Sequence, residues 1–250
     1  QVVNRVSLIT GASGALGSVI CNQLVRTNEV KIVTVRRDSN NSYLNNFKEQ
    51  VDANRDSELV LVHCGWDTTD RTALAQSRSK EETIILSDHC AERGIKMIFI
   101  SSHSASENAQ SNYGEAKFIA ENYVLSTGGI CIKPGLILFE PPAGLQRKLL
   151  VLSRVGIGLN FFPKSKITVT EIQNVLYEIN KLICGETWNS SNILLTDRQV
   201  DLNVLCSVTL AKHFLTIPVP LRLLRRITRI IGIMSRKSIG VHDSLSAIID

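Results

Sequence analysis

Apolar positions along the chain follow two rhythms. Short runs rich in valine, isoleucine and leucine occupy 6–9, 30–35, 59–63, 96–100 and 129–132, the mark of strands buried on both faces. Between them, apolar residues recur every three or four positions, first at Val19, Ile20, Leu24 and Val25 and then across 79–93 and 114–125, which predicts helices. Strands alternating with helices predict right-handed βαβ crossovers and a parallel sheet covered on both faces. The interval 38–57 is polar and short and makes a poor third strand. From Leu145 onward the rhythm changes: 149–152, 172–183 and 202–214 read as helices between irregular pieces. Ile217-Pro218-Val219-Pro220 then opens an apolar helix over 221–234, flanked by Arg222, Arg225, Arg226 and Arg229.

Composition narrows this picture only a little. The 250 residues are 44% hydrophobic, enough for one large α/β domain with a small appendage. Twenty-eight Lys and Arg against 23 Asp and Glu leave a net charge of +5, compatible with an anionic ligand and too mild for a nucleic-acid partner. The six cysteines, at 21, 64, 90, 131, 184 and 206, form no CxxC pair and have no histidine at ligand spacing, so reduced thiols and no metal are expected. Neither a charged leader before the first strand nor an apolar run of eighteen residues occurs, so a cytoplasmic location is expected.

Chemistry enters with Val6-Ser7-Leu8-Ile9-Thr10-Gly11-Ala12-Ser13-Gly14-Ala15-Leu16-Gly17. A strand ends there in a turn with three glycines and a helix follows. Gly11 permits the sharp turn, Gly14 lets backbone approach a pyrophosphate, and Gly17 lets helix pack on strand, with phosphates at the helix N-terminus. The cradle comprises Gly11, Ser13, Gly14, Ala15, Leu16 and Gly17. About twenty residues on, where an acidic residue usually takes the adenosine ribose, the chain reads Val35-Arg36-Arg37-Asp38. A guanidinium fork suits a 2′-phosphate, so Arg36, supported by Arg37, favours NADP, and Asp38 keeps NAD open. His63-Cys64-Gly65-Trp66 closes the next strand. His63 there is a core residue before it is a catalyst, and Trp66 either covers a cofactor or packs.

After the strand ending at Ile100 come Ser101 and Ser102, and eleven residues beyond Ser102 come Tyr113-Gly114-Glu115-Ala116-Lys117, opening a helix. Tyrosine and lysine four apart share a helical face. The ammonium lowers the phenol pKa from about 10 toward neutrality, making an acid or base for an alcohol or carbonyl oxygen, which a nearby serine hydroxyl can also hold. The proposed trio is Ser102, Tyr113 and Lys117.

In this order of motifs the chain resembles the extended branch of the short-chain dehydrogenase/reductase superfamily, the epimerases and dehydratases that act on sugar nucleotides. The resemblance covers nearly the whole chain. His63-Cys64-Gly65 is similar to the branch's His-Leu-Ala, Ile132-Lys133-Pro134-Gly135-Leu136-Ile137 to its Arg-Pro-Gly segment, and Ile167-Thr168-Val169-Thr170-Glu171 to its His-Val-x-Asp helix start. It implies that Tyr113 is the acid/base, that Lys117 orients the ribose and tunes Tyr113, and that Ser102 polarises the substrate oxygen. It further implies that Cys64, Gly65, Lys133, Pro134, Gly135 and Ile137 line the cofactor. The expected fold is a Rossmann-type doubly wound parallel sheet over 1–142 with a small, mostly helical substrate lobe over 143–250, from which the chain can return to the sheet near 165–200. Lys133 in place of arginine, Leu138-Phe139-Glu140 in place of Tyr-Gly-Pro, and Ser79 in place of asparagine depart from the pattern.

The leading expectation is therefore an NADP- or NAD-dependent reductase or epimerase of a nucleotide-activated sugar. Two alternatives stand beside it: a non-catalytic NADP-binding sensor or scaffold of the same fold, and a reductase of small ketones. The resemblance also implies a homodimer through the helices at 79–93 and 114–125. The basic helix at 221–234 is read as packed with its arginines in water, ahead of a contact with a membrane surface or a substrate pyrophosphate.

Overall fold

The computed structural model describes residues 5–27, 30–139, 157–162, 166–185, 188–201 and 215–220. The first half runs β1 (Arg5–Thr10), α1 (Ala15–Thr27), β2 (Lys31–Val35), α2 (Leu44–Ala53), β3 (Glu58–His63), α3 (Ala73–Glu92), β4 (Lys96–Ile100), α4 (Asn112–Ser126) and β5 (Ile130–Pro134). The second half contributes β6 (Leu136–Leu138), β7 (Ile157–Phe162), β8 (Lys166–Glu171), α5 (Ile172–Ile183), β9 (Asn192–Leu195), β10 (Arg198–Asp201) and β11 (Leu215–Pro220). Six strands form one parallel sheet in the order β2-β1-β3-β4-β5-β9. The architecture is thus the doubly wound α/β sheet that the alternation predicts.

Successive strand residues point to opposite faces, and the core divides accordingly. Leu8, Leu61 and Phe99 join Phe47, Leu86 and Val124 beneath α2, α3 and α4. Their neighbours Ile9, Val62 and Ile98 join Ile20 and Ile179 beneath α1 and α5. The helix α5 has the strongest one-sided pattern, with Val175, Ile179, Leu182 and Ile183 all buried, and it carries the chain back to β9 on the main sheet.

As expected, the interval 38–57 holds no strand; it holds α2, whose buried positions are Phe47 and Val51, four apart, and β2 forms the edge of the sheet. Two boundaries differ from the expectations. The helix expected to start at residue 79 starts at Ala73, because Thr72 caps it, its side chain accepting from the Ala75 N–H. The last strand of the first half reaches Pro134. Beyond the main sheet, the described pieces are strands, with order β10-β8-β6 in one sheet and β11 paired with β7 in another. The helices expected at 149–152, 202–214 and 221–234, with their four arginines, lie outside the described residues. Among the described residues no helix is long and apolar enough to cross a membrane.

Strand register places the site. Thr10 lies opposite both Val35 and His63, His63 opposite Phe99, and Ile100 opposite Ile132. The carboxyl ends of five strands therefore finish level. The order reverses between β1 and β3, and ligands of open α/β sheets bind outside the carboxyl ends at such a switch point.

Candidate active site

The glycine turn sits at that switch point. Gly11 has φ +68°, and a Cβ there would come within 2.7 Å of the Cys64 carbonyl oxygen; the turn is closed by Gly14 N–H donating to Gly11 O at 2.9 Å. A Cβ on Gly17 would strike the Gly11 carbonyl, so α1 can lie against the turn only with glycine there. Ser13, Gly14 and Ala15 are exposed and Leu16 is half-buried, and the first turn of α1 carries no acidic side chain. Helix N-termini leave N–H groups without intrahelical acceptors, and nothing here competes with an anion for them. These residues fit a dinucleotide pyrophosphate. Gly17→Ala is expected to weaken dinucleotide binding at least tenfold and to lower the melting temperature, as read by calorimetric titration and circular dichroism.

At the adenosine end, register sets Arg36 one step beyond the Thr10–Val35 pair, level with Gly11. Its backbone N–H donates to Asn46 Oδ1 at 2.8 Å, which fixes the turn, and its side chain is exposed. Arg37 behaves differently. Its guanidinium bonds Asn41 Oδ1 at 3.1 Å and Gly65 O at 3.2 Å, pairs with Glu82 at 3.5 Å, and covers the Tyr43 ring at 4.7 Å. It braces the loop. The Asp38 carboxylate accepts from the N–H groups of Asn40 and Ser42 and from the Asn45 amide. Those bonds, the Ser42 N–H foremost, hold its pKa below the usual range. Of the three candidates for the ribose, Arg36 is the most exposed as a residue.

The end of β3 is structural. His63 is buried, with Nδ1 at 2.7 Å from Thr10 Oγ1 and Nε2 at 2.9 Å from Thr83 Oγ1. Because Thr83 donates its own proton to Ser79 O at 2.8 Å, it accepts from Nε2–H, which leaves Nδ1 to accept from Thr10. Burial, then the charges of Lys117 and Arg37, pushes the His63 pKa down to about 3. The ring is neutral and clamps β1 to β3 and α3. Burial likewise pushes the Cys64 thiol up to about 12. Gly65 lies under the Tyr43 ring, and Trp66 is buried, its indole N–H donating to Gln76 Oε1 at 2.7 Å.

Ser102, Tyr113 and Lys117 come together. Ser111 caps α4 by accepting from the Gly114 N–H, and the first two turns present Tyr113 and Lys117 on one face. Burial pushes the Tyr113 phenol up, but the charges of Lys117 and Arg71 and hydrogen bonds from Ser102 and Lys117 outweigh it and hold the pKa below its ordinary value. The ring packs edge-on against Trp66, with centroids 6.3 Å apart. Ser102 Oγ lies 2.9 Å from Ser104 Oγ. Lys117 is 3% exposed, and its ammonium donates to Ile100 O at 2.6 Å and Ser101 O at 3.3 Å. It lies over the Trp66 and Phe99 rings at 4.9 and 5.0 Å. Burial lowers its pKa, against the pull of Tyr113.

Lys133 is engaged within the fold. Its ammonium pairs with Glu121 at 2.7 Å and donates to Ala105 O at 2.9 Å. Glu121, 1% exposed, also accepts from Ser101 Oγ at 2.6 Å and the Asn192 amide at 3.1 Å. This network ties α4, β5, β9 and the Ser101–Ala105 loop together behind Ser102. Pro134 is buried; the Gly135 N–H donates to Thr170 Oγ1 at 2.8 Å; and Ile137, like Ala12, Leu16 and Cys64, is half-buried against the core under α1 and α5. Arg71 had no sequence signal pointing to it. Its guanidinium lies over the Tyr113 ring, 3.9 Å from the centroid. Among the described residues, no group of three or more His, Cys, Asp or Glu side chains could hold a metal ion.

No family model and no curated protein matches the chain. Solved structures do match it in fold. The dTDP-4-dehydrorhamnose reductase of Bacillus anthracis str. Ames in complex with NADP is 14% identical, with a TM-score of 0.73 over 89% of this chain and 86% of that one. MoeE5 in complex with UDP-glucuronic acid and NAD is 16% identical, with a TM-score of 0.70 over 86% and 85%. The Bordetella bronchiseptica enzyme WbmG in complex with NAD is 11% identical, with a TM-score of 0.66 over 82% and 77%. The chain has the Rossmann-like fold of these proteins over most of its length.

Proposed function

We propose that the chain is an NADP(H)-dependent oxidoreductase or epimerase of the extended short-chain dehydrogenase/reductase type, acting at a secondary alcohol or ketone of a nucleotide-activated sugar. The observation that carries this reading is the convergence of Ser102, Tyr113 and Lys117 beside a glycine turn built for a pyrophosphate. The fold neighbours support this substrate class: one is a dTDP-4-dehydrorhamnose reductase and another, MoeE5, is in complex with UDP-glucuronic acid.

The nicotinamide, when bound, supplies or accepts the hydride. The chain does the rest. Ser102 donates a hydrogen bond to the substrate oxygen and holds it beside the phenol. In reduction Tyr113 gives that oxygen its proton; in oxidation the tyrosinate takes it back. Lys117 stabilises the tyrosinate from its buried seat, and the Glu121–Lys133 network fixes the loop carrying Ser102. The pH signature follows in sign: reduction slows as pH rises through the Tyr113 pKa, and oxidation speeds up over the same window. Incubation with NADPH and a 4-keto sugar nucleotide is expected to consume both in equal amounts. An epimerase would instead interconvert the sugar with no net change in cofactor.

Arg36 supports NADP over NAD, because its exposed guanidinium stands level with the turn while the Asp38 carboxylate is committed to its own loop. Charge-assisted bonds contribute about 1.5–3 kcal/mol, so Arg36→Ala is expected to weaken NADP binding about 10- to 100-fold and to leave NAD binding unchanged in calorimetric titration. Homodimerisation through α3 and α4 belongs to the same proposal; Ile85 and Ile119 on these helices are exposed.

One observation favours the second reading, a non-catalytic dinucleotide-binding protein: the Lys117 ammonium bonds two backbone carbonyls rather than facing solvent. That reading predicts dinucleotide binding without turnover on any sugar nucleotide or small ketone.

A further inference from the structure

We propose that Arg71 is a positioning residue of this site: its guanidinium, stacked over the Tyr113 ring, is a second, permanently charged group that stabilises the phenolate alongside Lys117. The inference rests on Tyr113 being the acid/base, and it deepens that reading by assigning part of the stabilising charge to a residue outside the trio.

The geometry is specific. The guanidinium carbon is 3.9 Å from the Tyr113 ring centroid, whereas the Lys117 nitrogen is 5.4 Å from it. A cation over an aromatic face is attracted by the ring's negative potential, and the attraction grows when the phenol ionises and charge spreads into the ring. Nε donates to Thr68 O at 3.1 Å and holds the side chain, and the Asn112 amide, at the start of the helix that carries Tyr113, donates to the Arg71 backbone oxygen at 3.4 Å and ties the residue's main chain to that helix. Nη1 is buried without a hydrogen-bond partner among the described residues. An unpaired buried donor destabilises a fold, so this placement is not explained by stability alone.

Chemistry separates the two cations. A buried lysine shifts and loses charge readily, whereas a guanidinium stays protonated at any working pH. The charged groups that act most on Tyr113 are Lys117 from its own helix and Arg71 from the β3–α3 connection, and the end of β4 contributes the Ser102 hydroxyl. Burial lowers the Lys117 pKa, and Arg71 pushes the same way. The guanidinium adds a charge that does not titrate.

The test needs neither substrate nor cofactor, so its failure is separate from a failure of the proposed activity. The chain has four tyrosines, and the ultraviolet tyrosinate titration of the intact protein minus that of Tyr113→Phe isolates Tyr113. In Arg71→Met and Arg71→Gln the Tyr113 midpoint is expected to move to higher pH, with at least a severalfold lower tyrosinate fraction at fixed alkaline pH. Arg71→Lys, which keeps the charge but loses the planar stack, is expected to fall between these and the wild type. It also serves if the neutral variants do not fold. An unchanged Tyr113 midpoint in the neutral variants, or in Arg71→Lys where only that protein folds, overturns the proposal.

Discussion

Tyr113→Phe is expected to lower turnover of a 4-keto sugar nucleotide by about 10²- to 10⁴-fold, the range that a positioned proton donor supplies, with little change in NADPH affinity. The substitution removes one oxygen and keeps the ring, so the edge contact with Trp66 and the stack under Arg71 survive. Only the proton exchange is lost. The charges of Lys117 and Arg71 hold the phenol pKa below its ordinary value against the effect of burial. The residual rate is expected to lose the pH dependence of the wild type, since no group titrating in that window remains at the substrate oxygen. A variant as fast as the wild type would remove Tyr113 from the mechanism.

The second large effect concerns stability. Lys133→Met leaves Glu121 buried with Ser101 and Asn192 as its remaining partners and no compensating charge. Breaking a buried pair by removing one partner costs about 3–5 kcal/mol, and Lys133 is 15% exposed in its side chain, which places the cost toward the lower end. For a chain of this size that is a fall of about 6–12 °C in melting temperature, measurable by circular dichroism. Lys133→Met with Glu121→Leu is expected to recover most of it, because an apolar pair can replace a buried ion pair at little cost. A single variant that melts with the wild type would show that the network is held by its hydrogen bonds alone.

These two residues mark what the sequence reveals and what it hides. Gly11 and Gly17 are legible because a Cβ at either would collide with neighbouring backbone, and Gly14 is legible by its spacing between them. Ser102, Tyr113 and Lys117 are legible because helical spacing and strand order bring them together. Lys133 is not. Its position matches a cofactor-lining segment, yet it answers a carboxylate on α4 that pattern reasoning places in solvent, since charged helical residues are normally exposed. Glu121 is paired only through contacts twelve and more residues away. Arg71 is hidden for a similar reason: it lies in a polar connection, and only the packing of α4 against that connection sets it over Tyr113. The helix α2 is missed because Phe47 and Val51 are too few to announce a period in a polar stretch. Asp38 and Arg37 look like ribose ligands in sequence, and the hydrogen bonds that engage them are made by Asn40, Asn41 and Ser42 of the turn, Asn45 in the first turn of α2 and Gly65 beyond β3.

The central claim is that the carboxyl edge of the sheet holds a nicotinamide dinucleotide with its 2′-phosphate on Arg36. Calorimetric titration of the intact protein with NADPH, and then with NADH, tests it most directly. The account predicts one site per chain, with NADPH bound at least tenfold more tightly and that advantage lost in Arg36→Ala. Absence of binding by both dinucleotides would contradict it.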